Sequence, residues 1–267
     1  MNLQQIFDEN KQIKSLYDYV NTHYPVELKK AENNNGVWSA GIQLIEEKYF
    51  ANIFWCPTKH PQAALVHELL HIKNQILGFR KIRVGITIKK ESDNKKILCD
   101  VIDDSLKKVC EIVDNELQHH KMYSEFISLG FRPEQFYSND DIEAEKHLTK
   151  YLQLKLNDTN FIGIAIQYLS LIAPGGYIFD KKKQELKIEF RKLNNREFVK
   201  NFDEIDSLIN DYINDNSYNA EPYIKRFINN LDYKYKRVWL GYSSDMKDFP
   251  KGGFFVDEEF GNNFKLV

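Results

Sequence analysis

Two histidines four residues apart, His67 and His71, with a glutamate directly after the first, are the residues of this chain whose types and spacing suit chemistry. On a helix, residues four apart lie one above the other on the same face, so the two imidazoles can grip a single ion. Neutral imidazole suits zinc, and a catalytic zinc ion takes three protein ligands and leaves a fourth position for water. Glu68 stands beside the first histidine, where its carboxylate can reach such a water without binding the ion. Zinc lowers the pKa of its water to about 7, so a base placed there delivers hydroxide to a carbonyl at neutral pH. The alternative is an ordinary amphipathic helix in which two histidines meet by chance. The neighbours argue against it: Ala63 to Val66, Leu69, Leu70 and Ile72 make the segment largely apolar, and three polar groups inside it call for a partner.

His67-Glu68-Leu69-Leu70-His71 matches the H-E-x-x-H pattern and resembles the zincin metallopeptidases. The resemblance implies zinc on both histidines and Glu68 as the general base of peptide-bond hydrolysis. It also implies an α+β, zincin-like fold: a small mixed sheet packed on a metal-binding helix pair, followed by a helix-rich C-terminal part. The metzincin way of supplying the third ligand, with Gly and His three and six residues beyond His71, is absent, because Asn74 and Leu77 stand there. The third ligand is therefore expected farther along, in Asp114 to His120, where Glu116, His119 and His120 compete. Glu116 is one turn before both histidines, which diverge by about 100° on a helix. Glu116 would make the site resemble the gluzincins. His119 would give an all-histidine site, with Asn115 one turn earlier as its hydrogen-bonding partner. The Asn115-x-Leu117-x-His119 core, within residues 115–131, resembles the second helix of uncharacterised bacterial zincin-like proteins and favours His119. The expected metal set is His67, His71 and His119. An exposed polar helix face is the plainer reading of the same tract. Tyr123 and His120 are the candidates to stabilise an oxyanion. His60, seven residues before His67, reads as a capping or surface residue rather than a ligand.

These residues need elements to hold them. Residues 3–22 have helical apolar spacing, and a turn signal at Asn33 to Gly36 precedes two runs of strand formers, 37–45 and 49–55, joined by Glu46-Glu47-Lys48 as a hairpin. The metal helix then runs from Pro61 to near Gly78, and in zincins the edge strand before it pairs with extended substrate. A strand is expected over 81–88, a mixed-charge connector over 89–96, and a long helix over 97–129 that ends at Gly130 and Pro133. Further helices are expected over 140–156, with Glu143 and Glu145 solvated, and over 161–173. Pro174-Gly175-Gly176 is the strongest break in the second half. Beyond it come a solvated turn at Lys181 to Lys183, a strand at 186–190, helices at 196–213 and 221–231, and a strand at 237–242. The expected division is a zincin-like metallopeptidase domain over 1–174 and an α-rich region over 175–267 that covers or extends the cleft.

Composition narrows the class. With 267 residues, 42% of them hydrophobic, the chain can bury a sizeable core, and a net charge of -2 offers no general attraction to nucleic acid or anionic membrane. The N-terminus lacks the features of a secretory signal, and the longest apolar run, 161–173, is too short for a bilayer. Cys56, Cys99 and Cys110 form neither a disulfide framework nor a thiolate metal site, which fits a reducing cytoplasm. The expectation is a zinc-dependent metalloendopeptidase acting on a peptide or protein substrate, with no nucleic-acid or membrane partner. The alternative is a zincin-fold regulatory or interaction module that binds zinc without turnover and holds a protein through its C-terminal region.

Overall fold

The computed structural model describes residues 3–31, 38–80, 82–88, 97–99, 104–137, 161–176, 178, 180–192, 196–230, 238–242 and 253–255. Two helices open the chain where one was expected: α1 (Leu3–Glu9) and α2 (Lys11–His23). Asn10 separates them because its side chain accepts from the amides of Gln12 and Ile13, capping α2. A strand that the sequence did not announce follows, β1 (Val26–Lys30), then the expected hairpin of β2 (Ser39–Ile45) and β3 (Lys48–Trp55). The sheet order is β1-β3-β2, parallel between β1 and β3 and antiparallel within the hairpin. Its apolar face, with Ile42, Ala51 and Ile53, shares one buried cluster with Ile13 and Val20 of α2 and with Leu65 and Leu69 of the next helix.

The hairpin loop has two residues, not three, and Lys48 pairs with Ile45 inside the ladder. Glu46 (φ 47°) and Glu47 (φ 65°) both take left-handed backbone, as a tight loop compatible with strand twist requires. Glutamate is poorly suited there, since left-handed backbone costs an ordinary residue about 1–2 kcal/mol. An E46N/E47G chain is therefore expected to gain about 1 kcal/mol of stability, read as a higher urea midpoint at unchanged slope.

The helix that carries the histidine pair, α3 (Pro61–Ile76), starts on a proline, whose missing N–H is no loss in the first turn. It stops where Gly78 turns left-handed (φ 109°) and the Phe79 amide donates back to the Asn74 carbonyl at 2.9 Å. Next come β4 (Ile82–Ile88), β5 (Ile97–Cys99) and the long helix α4 (Asp104–Ser128). Residues 97–99 were expected at the start of that helix. They form a strand instead, because a short apolar run serves either structure and here Leu98 and Ile97 pair with Thr87 and Ile88. Late strands β6 (Val238–Tyr242) and β7 (Gly253–Phe255) complete a second sheet in the order β5-β4-β6-β7, tying the middle of the chain to its end.

Four further helices are α5 (Phe161–Ile172), α6 (Asp180–Arg191), α7 (Arg196–Asn214) and α8 (Glu221–Asn229). The strand expected at 186–190 and the turn expected at 181–183 both lie in α6. Alternation had suggested the strand, yet Leu186 and Phe190, four apart, are buried together while Ile188 is 55% exposed on the opposite side. Leu186, Phe190, Tyr168 of α5, Phe202 of α7 and Phe227 of α8 belong to a second buried cluster, which also takes Phe79 and the Cys110, Val113 and Leu117 positions of α4. Farther along α4, Met122 and Phe126 belong to the first cluster. The long helix thus passes from one core to the other, and the Pro174–Gly176 break falls within the span of the second. The architecture is α+β, with eight α-helices and two small sheets among the described residues. No helix among those residues is long and apolar enough to cross a membrane. The expected turn at 33–36, connector at 89–96 and helix at 140–156, with Glu143 and Glu145, lie outside the described residues.

Candidate metal centre

Helices α3 and α4 pack side by side and are cross-linked by polar contacts. Asn74 Nδ2 donates to the Gln118 carbonyl at 3.2 Å, and Lys73 pairs with Glu125 at 2.6 Å. On the same pair of helices, His67 and His71 from α3 meet His119 from α4. One ligand atom from each lies within 4.8 Å of the others, and the residues are 9%, 7% and 1% exposed. His67 Nε2 and His71 Nε2 are 3.0 Å apart.

The outer ring nitrogens set the tautomers. His71 Nδ1 donates to Gln118 Oε1 at 3.2 Å, so its Nε2 is left as a lone pair. His119 Nδ1 donates to Glu116 Oε2 at 3.1 Å, and His119 Nε2 is then a second lone pair, buried with no hydrogen-bond partner. A buried polar atom without a partner is uncommon, and His119 Nε2 is one, beside the rings of His67 and His71. A cation would satisfy it, and three imidazoles held from behind by an amide and a carboxyl group are a donor set suited to one.

Electrostatics prepare the rings for that role. Burial, reinforced by its two histidine neighbours, holds the His67 pKa well below the usual value, and burial brings His119 down to about 3 and His120 to about 3. These imidazoles are neutral at pH 7 and need lose no proton to bind metal. Burial also pushes Glu116 up to about 8, against the pull of the Lys183 ammonium.

The shifts fix the sign of a pH effect in chelator-treated protein. Histidines with depressed folded pKa values contribute stability that is complete above the unfolded value near 6.5 and is lost as pH falls towards about 3. Glu116 works the other way, gaining as pH falls through 8 towards the usual carboxylate range. His67, His119 and His120 outnumber it. Stability of the metal-free chain is expected to fall by roughly 2 kcal/mol per pH unit between pH 6 and pH 5, measured by urea unfolding.

Aromatic rings close over the histidines. After a 3₁₀ turn at Pro133–Gln135, the Phe136 ring lies 4.8 Å from His67 and 5.2 Å from His119, centroid to centroid, and the Tyr137 ring lies 5.1 Å from His119. The Tyr137 hydroxyl donates to the Pro174 carbonyl at 3.3 Å and sits 3.3 Å from His119 Nδ1. Gly175 (φ 75°) is seated so closely on this layer that a Cβ there would come within 2.9 Å of Phe136 Cβ.

Of the residues singled out in the sequence, His67, His71 and His119 come together, and Glu68 is buried on α3 beside His67. Glu116 stands behind His119, in the place proposed for Asn115, whose side chain is exposed. A spacing of three serves the contact as well as a spacing of four, and only Glu116 faces inward. His120 is half-buried and outside the converging set. Tyr123 is half-buried with its ring edge-on to Phe136 at 5.1 Å. His60 is exposed at the start of α3 and makes no side-chain cap. Sequence reasoning missed Gln118, Phe136 and Tyr137. Gln118 was discoverable as an amide beside a proposed ligand, whereas no spacing rule links the two aromatics to the histidines. No family model, curated protein or solved structure matches the chain. The molecule is an α+β protein with three buried histidines close enough to bind one metal ion.

Proposed function

We propose that this protein is a zinc-dependent metallopeptidase of zincin-like fold that hydrolyses peptide bonds. The observation that carries the reading is the convergence of His67, His71 and His119, two of them one helical turn apart with Glu68 between. An all-imidazole set with fixed tautomers suits zinc. When bound, zinc supplies a Lewis acid for the scissile carbonyl and makes water acidic. The protein's own work is then divided. His67, His71 and His119 hold the ion, Gln118 and Glu116 fix the orientation of two of those rings, and Glu68 takes the proton from the attacking water and passes it to the leaving amine.

Purified protein is expected to contain about one zinc per chain and to cleave members of an unstructured peptide library, with cleavage lost on chelation and restored by zinc. Zinc uptake at that ratio with no cleavage of any library member would favour the second reading, a zinc-binding interaction module with a protein partner at the C-terminal region. Its support is the low exposure of all three histidines under Phe136 and Tyr137. Absence of metal binding would overturn both readings.

A further inference from the structure

One hydroxyl joins His119 to a turn far along the chain. The Nδ1–H of His119 has two acceptors in reach: Glu116 Oε2 at 3.1 Å, one turn back on α4, and the Tyr137 hydroxyl oxygen at 3.3 Å. Tyr137 has a single hydroxyl proton, which it gives to the Pro174 carbonyl at 3.3 Å, so towards His119 its oxygen offers a lone pair. The contact is made at the outer ring nitrogen and leaves Nε2 for an ion. The Pro174 carbonyl is itself held in place. Lys183 Nζ donates to the carbonyls on either side of it, those of Ala173 and Gly175, at 2.5 and 2.8 Å. The Gly176 amide donates to the Pro133 carbonyl at 2.9 Å, which ties the same turn to the segment that carries Tyr137. The two acceptors do different work. Glu116 rides on the same helix as His119 and orients the ring only within α4, whereas Tyr137 comes from outside α4 and fixes the ring relative to the rest of the protein.

We propose that Tyr137 is a positioning residue of the metal centre, sharing the Nδ1 proton of His119 with Glu116 and tying that ring to the Pro174–Gly176 turn. This inference rests on the metal reading above. It makes the turn between α5 and α6 part of the support of the third ligand. Tyr137 acts through His119 alone, so its signature is a change at that imidazole and coupling to Glu116, the other acceptor of the same proton.

Two measurements on the full chain test this. In metal-free protein, the proton–nitrogen NMR spectrum of the imidazoles is expected to show the His119 Nδ1 proton, and Tyr137→Phe, which removes only the hydroxyl, is expected to move that resonance upfield. An unmoved resonance would overturn the proposal. Zinc affinity by chelator competition then reads the coupling. Tyr137→Phe alone is expected to bind zinc about threefold more weakly than wild type, as for the loss of one weak neutral hydrogen bond. In a Glu116→Ala chain the same change removes the last acceptor of the proton and is expected to cost about tenfold. Equal factors in the two backgrounds, or no loss in either, would count against the proposal and leave Tyr137 as a strut of the aromatic layer. Should Tyr137→Phe not fold, wild type decides: a nuclear Overhauser contact between the His119 Nδ1 proton and the Tyr137 ring is expected, and its absence overturns the shared proton. A wild-type chain that binds no zinc removes the metal reading and the positioning role together, an outcome distinct from stoichiometric wild-type binding with no Tyr137 effect.

Discussion

A His119→Ala chain is expected to bind zinc about 100- to 1,000-fold more weakly than wild type. Structural zinc sites with four ligands contribute roughly 10–16 kcal/mol, so one ligand's share is about 3–4 kcal/mol, or two to three decades in affinity. His67 and His71 would remain a turn apart on α3, enough for weak residual binding. The comparison with its neighbours on α4 gives the experiment its force. Glu116 holds His119 from behind, so Glu116→Ala is expected to lose about 10- to 100-fold, while the exposed Asn115 is expected to tolerate alanine with no change in affinity. A larger loss for Glu116→Ala than for His119→Ala would make the carboxylate the ligand and the histidine its support. Chelator competition measures the affinities, and the circular dichroism of each metal-free variant separates ligand loss from unfolding.

The elements nearest the site were the most legible in the sequence. The α3 helix carries its own start signal in Pro61 and its own stop in Gly78, and the hairpin before it is bounded by dense strand formers. Where the reading failed, tertiary partners had settled a local ambiguity. Leu186, Ile188 and Phe190 alternate as a strand would, but a hydrophobic core on one side of α6 selected the helix. Ile97 and Leu98 continue the apolar pattern of α4, and only pairing with β4 makes them a strand. β1 gave little local signal because Glu27, Lys29 and Lys30 interrupt it, and its order comes from lying in register with β3. The site divides in the same way. His67 and His71 follow from a spacing within one helix, whereas spacing does not separate His119 from Glu116, which lie one turn apart on the buried side of α4, and only the resemblance favoured His119. The aromatic layer from Phe136 and Tyr137 depends on a turn contributed from around Gly175, some forty residues farther along.

Replacing Glu68 with glutamine is the change that separates an enzyme from a binding module. Glutamine has nearly the same shape, so α3 and the positions of His67 and His71 are expected to persist, and zinc content is expected to stay at about one per chain. What the amide lacks is the ability to accept a proton at neutral pH. General-base assistance contributes about 10²- to 10⁴-fold, so kcat is expected to fall by that factor with KM nearly unchanged, the pattern of an interaction made only in the transition state. Glu68 is itself buried on α3, directly after His67. A module that only binds zinc needs no proton acceptor beside the ion, so under that reading the variant would match wild type in zinc content and neither chain would cleave peptide. Peptide cleavage by the glutamine variant at the wild-type rate would remove Glu68 from the chemistry and leave the histidines without a base among the residues assigned to the site.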